Sequence, residues 1–183
     1  MLFPGGLLSL KIFEQRYLDM TRDCLRDGTP FGVFLIREGW EVGTPASCEE
    51  VGCLASISQW EMPHLNIFHL LVEGREKVRI REKRAEANGL IRGEVELLPE
   101  ESPIRLSPQF QRCAEVLRTI IKEAGGQFFP QPQRYDDALW VGYRLAEVLP
   151  ITLSARQTLL TLADSHERIR VIHEALKQQG FAV

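Results

Sequence analysis

The 183-residue sequence contains no uninterrupted apolar run of the roughly 18 to 20 residues that a membrane-spanning helix needs. Its start also lacks a basic stretch ahead of a long apolar core, because Lys11 and Glu14 interrupt the only candidate for a leader. The expectation is a cytoplasmic protein with no membrane partner. Cysteine is scarce: Cys24, Cys48, Cys53 and Cys113 are too few and too scattered for a disulfide framework, and read as reduced thiols. A basic excess is missing as well. With 22 Lys and Arg against 25 Asp and Glu, the net charge is −3, which argues against a dedicated binder of nucleic acid or anionic membrane.

The motifs of common enzymes are equally absent. No Gly-x-x-x-x-Gly-Lys-Ser/Thr loop exists to surround phosphates with backbone N–H groups, so ATP hydrolysis is not expected. Gly5-Gly6 and Gly125-Gly126 lack the strand, turn and helix context of a dinucleotide fingerprint and read as turns. No Gly-x-Ser-x-Gly elbow presents a serine nucleophile. Cys48 and Cys53 with His64 and His69 come nearest to a metal constellation. Their segment reads as a strand, however, where positions 64 and 69 point to opposite faces. His166 and His173, seven residues apart on a helical segment, have no clustered carboxylate or thiol and read as packed or solvated side chains. No catalytic, cofactor-binding or metal-ligating residue is assigned.

What is present divides the chain in two. From Phe13 to Leu25 the apolar residues Phe13, Tyr17, Met20 and Cys24 recur at helical spacing opposite Glu14, Arg16, Asp19 and Arg22, and Asp27-Gly28-Thr29-Pro30 stops the helix. The period then falls to about two, with short β-rich runs at 31–36, 51–57, 65–72, 75–82 and 90–98. Turn residues at Gly43-Thr44-Pro45, Met62-Pro63, Glu73-Gly74 and Asn88-Gly89 punctuate them. Closely spaced short strands point to a small closed or nearly closed barrel, which removes exposed sheet edges. From Ser107 the pattern is helical. Ser107-Pro108 opens one helix that runs to Gly125-Gly126, and a second covers the region from Tyr135 to Leu149. A third is capped by Ser154 with Gln157, and a fourth by Asp164. The expected division is a β-rich part at 1–103 and a helical part at 104–183.

Two surface features could bind something. Arg75, Lys77, Arg79, Arg81 and Lys83 recur at period two, as a solvent face set against edge pairing or as a stripe for an anionic ligand. No aromatic is interleaved to stack bases. Trp40 and Trp60 lie beside expected loops, near Met62, either closing the end of a barrel core or anchoring a bound peptide together with Phe68.

The run LFPGGLLSLKIFEQRYLDM, followed in order by PFGVFLI, EVGT, GCLASISQWE, LLVEGREKVRI and LPITLSARQTLLTLADSHERIRVI, resembles the bacterial Lon protease N-terminal, or substrate-binding, domain. The resemblance implies an α+β fold: a small PUA-like β-barrel with one crossing helix, followed by a C-terminal bundle of about four helices. It implies that LLSLKI is a strand, that Phe13 and Tyr17 face the barrel core, and that Glu14 and Arg16 serve structure. The apolar strand usual before the Pro-Gly-Gly turn is reduced to Met1-Leu2-Phe3. Either the start lies upstream, or a gap is left at that edge where an extended peptide could add a strand. The family's ATPase and peptidase modules are not in this sequence, so the expectation is a non-catalytic module without cofactor. It would bind unfolded or extended polypeptide or a partner protein, with RNA binding through strand 75–83 as the alternative and a small-molecule hydrolase as a third, remoter reading.

Overall fold

A computed structural model describes residues 1–38, 47–178 and 180. The chain forms two compact units, Met1–Leu98 and Pro99–Val183. The expected division lay a few residues later, after Pro103. Glu101 goes with the helices because Arg168 holds it there.

In the first unit β1 (Leu7–Ile12) leads into α1 (Gln15–Asp27), followed by β2 (Phe31–Val33), β3 (Ile36–Glu38), β4 (Ser47–Cys48), β5 (Val51–His64), β6 (Ile67–Ala85) and β7 (Ile91–Leu97). The long β6 is the spine. One of its edges carries β1, from Leu7↔Glu73 to Ile12↔Phe68, and further along β7, from Val78↔Leu97 to Ala85↔Ile91. Its other edge pairs with β5, and β2 pairs with the first part of β5 through Phe31↔Ala55 to Val33↔Cys53; all these pairings are antiparallel. Strands β3 and β4 form a separate two-stranded ribbon. The two β runs expected at 65–72 and 75–82 are thus one strand. Gly74, expected in a turn, sits mid-strand opposite Ala55, at a place where the Phe3 carbonyl comes close to its Cα. A missing Cβ served contact rather than chain reversal.

Alternation at period two puts Cys53, Ala55, Phe68, Leu70 and Val72 on one face of the sheet, where they pack with Leu18 of α1 and with Leu2. Leu8, Leu10 and Ile12 of β1 and Phe31 and Val33 of β2 close around this core. Leu18 therefore does what Phe13 was expected to do. Phe13 is 53% exposed, because Glu14 is the N-cap and the helix proper starts at Gln15, so the helical spacing from Phe13 to Tyr17 does not apply. Arg16, expected on the polar face, is buried. Its guanidinium lies 3.0 Å from the Glu14 carboxylate, donates to the Gly89 carbonyl at 3.2 Å and stacks on Tyr17, tying the helix start to the β6–β7 turn. Glu14 and Arg16 do serve structure, and they do so as a pair. At the other end Gly28, at φ 66°, donates to the Cys24 carbonyl and ends α1 in the left-handed cap its sequence foretold.

The second unit is built from α2 (Gln111–Ala124), α3 (Ala138–Val148), α4 (Leu153–Thr161) and α5 (Ser165–Gln178), with a 3-10 turn at Pro108–Phe110 before α2. Leu117, Ile121, Val141, Leu145, Leu160, Ile169 and Leu176 are buried within it. Asp164 caps α5 as expected, accepting from the His166 N–H at 2.8 Å. The cap of α4 is Thr152, whose Oγ1 accepts from the Ala155 N–H at 3.1 Å. Ser154 already lies inside that helix, so the expected Ser154–Gln157 box does not form. Together these elements make a mixed α+β protein: a sheet-rich part crossed by one helix, then four helices.

All four cysteines are free thiols; Cys24, Cys53 and Cys113 are buried, and Cys48 is partly exposed. Burial pushes the Cys113 thiol from 9.0 up to about 11, and raises Cys24 too. A thiol reagent at pH 8 is therefore expected to label Cys48 rapidly and the other three only on unfolding, which mass spectrometry of labelled peptides checks. The raised Cys113 value also fixes a sign. Its stabilising share is complete below pH 9 and is lost as pH rises toward about 11, because the unfolded chain gives up the proton first.

Candidate functional site

The β5–β6 hairpin carries three large exposed apolar side chains, Trp60, Met62 and Leu65. Its closing pair is His64↔Ile67, leaving Leu65-Asn66 as the two-residue turn, with Asn66 at φ 60° where asparagine is tolerated. The Arg22 guanidinium of α1 donates to the Asn66 side-chain oxygen at 3.2 Å, so the tip is held against the helix. His69 Nδ1 lies 3.1 Å from Glu61 across the ladder.

A register shift between Ile57 and Gln59 decides which side chains face the core side. Before it, Cys53, Ala55 and Ile57 point inward; the extra residue, Ser58, bonds its hydroxyl to the Leu71 carbonyl at 2.9 Å. After it the alternation is inverted, and Trp60 comes opposite the core residue Leu70. Trp60 lies edge-on to Phe68, ring centroids 5.7 Å apart, yet remains 55% exposed. Met62, two residues on, is 47% exposed and Leu65 at the tip 83%. The core of the sheet thus continues outward into an apolar lip. Beside it, the outer edge of β5 from Ile57 to His64 has no partner strand among the described residues, since β2 reaches only as far as Ala55.

The four residues singled out from the sequence are placed differently by the fold. Trp60 and Met62 are on the lip, Phe68 is buried beneath Trp60 as part of the core, and Trp40 lies outside the described residues. Leu65 was missed. The signal was an apolar residue between Pro63 and Asn66, where a turn ordinarily carries polar ones.

The basic strand is no continuous stripe. Lys77 is buried at 6% exposure, whereas Arg75, Arg79 and Arg81 are exposed. Arg75 donates to the Ser56 hydroxyl at 3.1 Å, Arg81 is paired with Glu96, and Lys83 Nζ lies 3.6 Å from Cys48 Sγ. A second register shift, between Ile80 and Glu82, breaks the alternation at Arg81, and Glu96 stands opposite Arg79. The expected single face of five cations is replaced by one in which acids and burial interrupt the charge, and the RNA-binding alternative gains no support from it.

Among the described residues no group of three or more His, Cys, Asp or Glu could hold a metal ion, and no helix is long and apolar enough to cross a membrane. A sheet with an apolar lip, joined in sequence to a four-helix unit, defines an α+β protein of two units. The chain belongs to the ATP-dependent protease La (LON) substrate-binding domain family, whose sequence model matches residues 1–178. Its structure is similar to that of a Lon N-terminal domain protein from Xanthomonas campestris, at 32% identity and a TM-score of 0.78, over 95% of this chain and 92% of that one. It also shares the fold of the N-terminal domain of Mycobacterium avium complex Lon protease, at 13% identity and a TM-score of 0.62, over 100% and 94% of the two chains. No curated protein sequence matches the chain. The matched domain is the family's substrate-recognition part and is non-catalytic.

Proposed function

We propose that the lip formed by Trp60, Met62 and Leu65 captures extended apolar segments of unfolded polypeptides in the cytoplasm. The observation that carries this reading is the exposure of three large apolar side chains, along a strand edge that has no partner strand among the described residues, in a protease substrate-binding domain family. An extended segment would add beside Ile57–His64, exchanging backbone hydrogen bonds with water for bonds to β5 and placing alternate apolar side chains over Trp60 and Met62. Sequence tolerance follows, because backbone groups are common to every peptide. Side-chain burial at about 25 cal/mol per Å² then favours apolar segments over polar ones.

Binding of a reduced, carboxymethylated model protein is expected with Kd of about 1–100 μM, the range of a small interface. It should be accompanied by a blue shift of the Trp60 emission. The double variant Met62→Asp/Leu65→Asp should weaken binding at least ~10-fold while leaving the far-ultraviolet circular dichroism unchanged, because both side chains are solvent-facing. Calorimetry showing no heat with the parent protein, or equal affinity for parent and variant, contradicts the reading.

A further inference from the structure

We infer that the helical unit holds an oxyanion site of the phosphate class in the cleft between the last turns of α2 and the Gly126–Tyr135 segment. The cleft has a volume of about 340 Å³ and is lined by Arg118, Lys122, Gly126, Gln133 and Tyr135 over the buried side chain of Ile121. Arg118 and Lys122 are four residues apart on α2 and so lie on one face, one above the other. Neither has a carboxylate partner among the described residues, although eleven other arginines and lysines are ion-paired.

The hydrogen-bonding capacity left in the cleft is one-sided. The guanidinium of Arg118 stacks on the Tyr135 ring at 4.4 Å, which uses its face and leaves its in-plane N–H groups available. The Tyr135 hydroxyl donates to Gln133 Oε1 at 2.7 Å, so the Gln133 acceptor is taken and its Nε2 donors remain. That Nε2 is turned toward Gly126, where an added Cβ would meet it at 3.3 Å. The Gly126 carbonyl is in turn occupied by the Gln131 side-chain amide at 3.0 Å. Burial raises the Tyr135 phenol, against the opposing pull of Arg118, which keeps it a donor to Gln133. What the cleft presents to a ligand is therefore two cations and an oriented amide donor, with the Gln133 side-chain and Gly126 backbone acceptors consumed. A compact group with two negative charges and several acceptor oxygens fits that set better than a single carboxylate.

Full-length protein titrated with inorganic phosphate at constant ionic strength tests the site, followed through the Arg118 Nε–H and Gln133 Nε2–H signals in ¹H–¹⁵N spectra. Saturable shifts with Kd of about 1–10 mM are expected, weakened ~10-fold by Arg118→Ala and several-fold by Lys122→Gln. Both side chains are exposed, so both variants should keep the parent circular dichroism. Acetate should bind at least ~5-fold more weakly than phosphate. Shifts that never saturate, an unchanged Kd in both variants, or acetate equalling phosphate each overturn the inference.

Discussion

Replacing Arg168 by alanine is expected to cost about 3–5 kcal/mol, the range for removing one partner of a buried ion pair. Arg168 is completely buried in α5, and its two terminal nitrogens each lie 2.8 Å from an oxygen of Glu101, itself nearly buried. The same guanidinium donates to the carbonyls of Leu159 and Leu162 at the end of α4 and lies 4.2 Å over the Tyr143 ring of α3. Tyr143 closes the network by donating to Glu101 at 2.6 Å. One side chain therefore joins the segment before α2 to three helices. Alanine would take the Arg168 cation away from Glu101 and its donated hydrogen bonds away from the Leu159 and Leu162 carbonyls, in a site water does not reach. In a unit of this size, ~3 kcal/mol corresponds to a fall in Tm of more than about 10 °C.

Glu101→Gln should cost less, since the amide can still accept from Arg168 and Tyr143. The double variant Arg168→Met/Glu101→Leu should recover part of the loss, because it removes both charges and refills the volume. Urea unfolding followed at 222 nm distinguishes these cases. A loss below about 1 kcal/mol for Arg168→Ala would show that the pair contributes little beyond its own desolvation cost.

How much of this was legible in the sequence depends on whether a local rule or a distant neighbour decided the outcome. The stop of α1 at Gly28 and the cap of α5 at Asp164 follow from rules that act within a few residues, whereas strand β1 in LLSLKI was implied by the family resemblance. The inverted alternation at Ser58 depends on strand pairing with β6, so the sequence identified Trp60 and Met62 as residues of interest without showing that they share a lip, or that Phe68 lies beneath it. Arg16 and Arg168 were invisible for a related reason. Arginine is ordinarily a surface residue, and only a partner far away in the chain, the Gly89 carbonyl or Glu101, makes burial tolerable. The basic strand failed in the opposite direction: period two alone put five cations on one face, and the Ile80/Glu82 shift, the acids of β7 and the burial of Lys77 then divided them.

The second large effect is expected at Gly74, which was read as a turn residue and is in fact a contact. A Cβ added there would lie 2.1 Å from the Phe3 carbonyl oxygen, 3.0 Å from its carbon and 3.1 Å from Leu2 Cγ. The carbonyl cannot easily retreat. It accepts the Gly6 N–H at 2.9 Å, and the turn it closes is pinned to β6 by Gly5 N–H to the Gly74 carbonyl at 2.8 Å and Gly74 N–H to the Gly6 carbonyl at 2.9 Å. Gly74→Ala must therefore lift the opening segment off the sheet. Leu2 and Phe3, both almost fully buried, would be exposed in the process, at roughly 1.5–3 kcal/mol each if the loss were complete. We expect Gly74→Ala to destabilise the first unit by about 3 kcal/mol or more. Amide exchange at Gly5, Gly6 and residue 74 should accelerate together, since the three donors belong to one clamp. Gly28→Ala is the informative comparison: nothing lies within 4 Å of its added Cβ, so only the left-handed backbone opposes it, at about 1–2 kcal/mol. Equal losses for the two variants would mean that the Phe3 contact yields at little cost, and that the opening turn is not what holds Leu2 and Phe3 in the core.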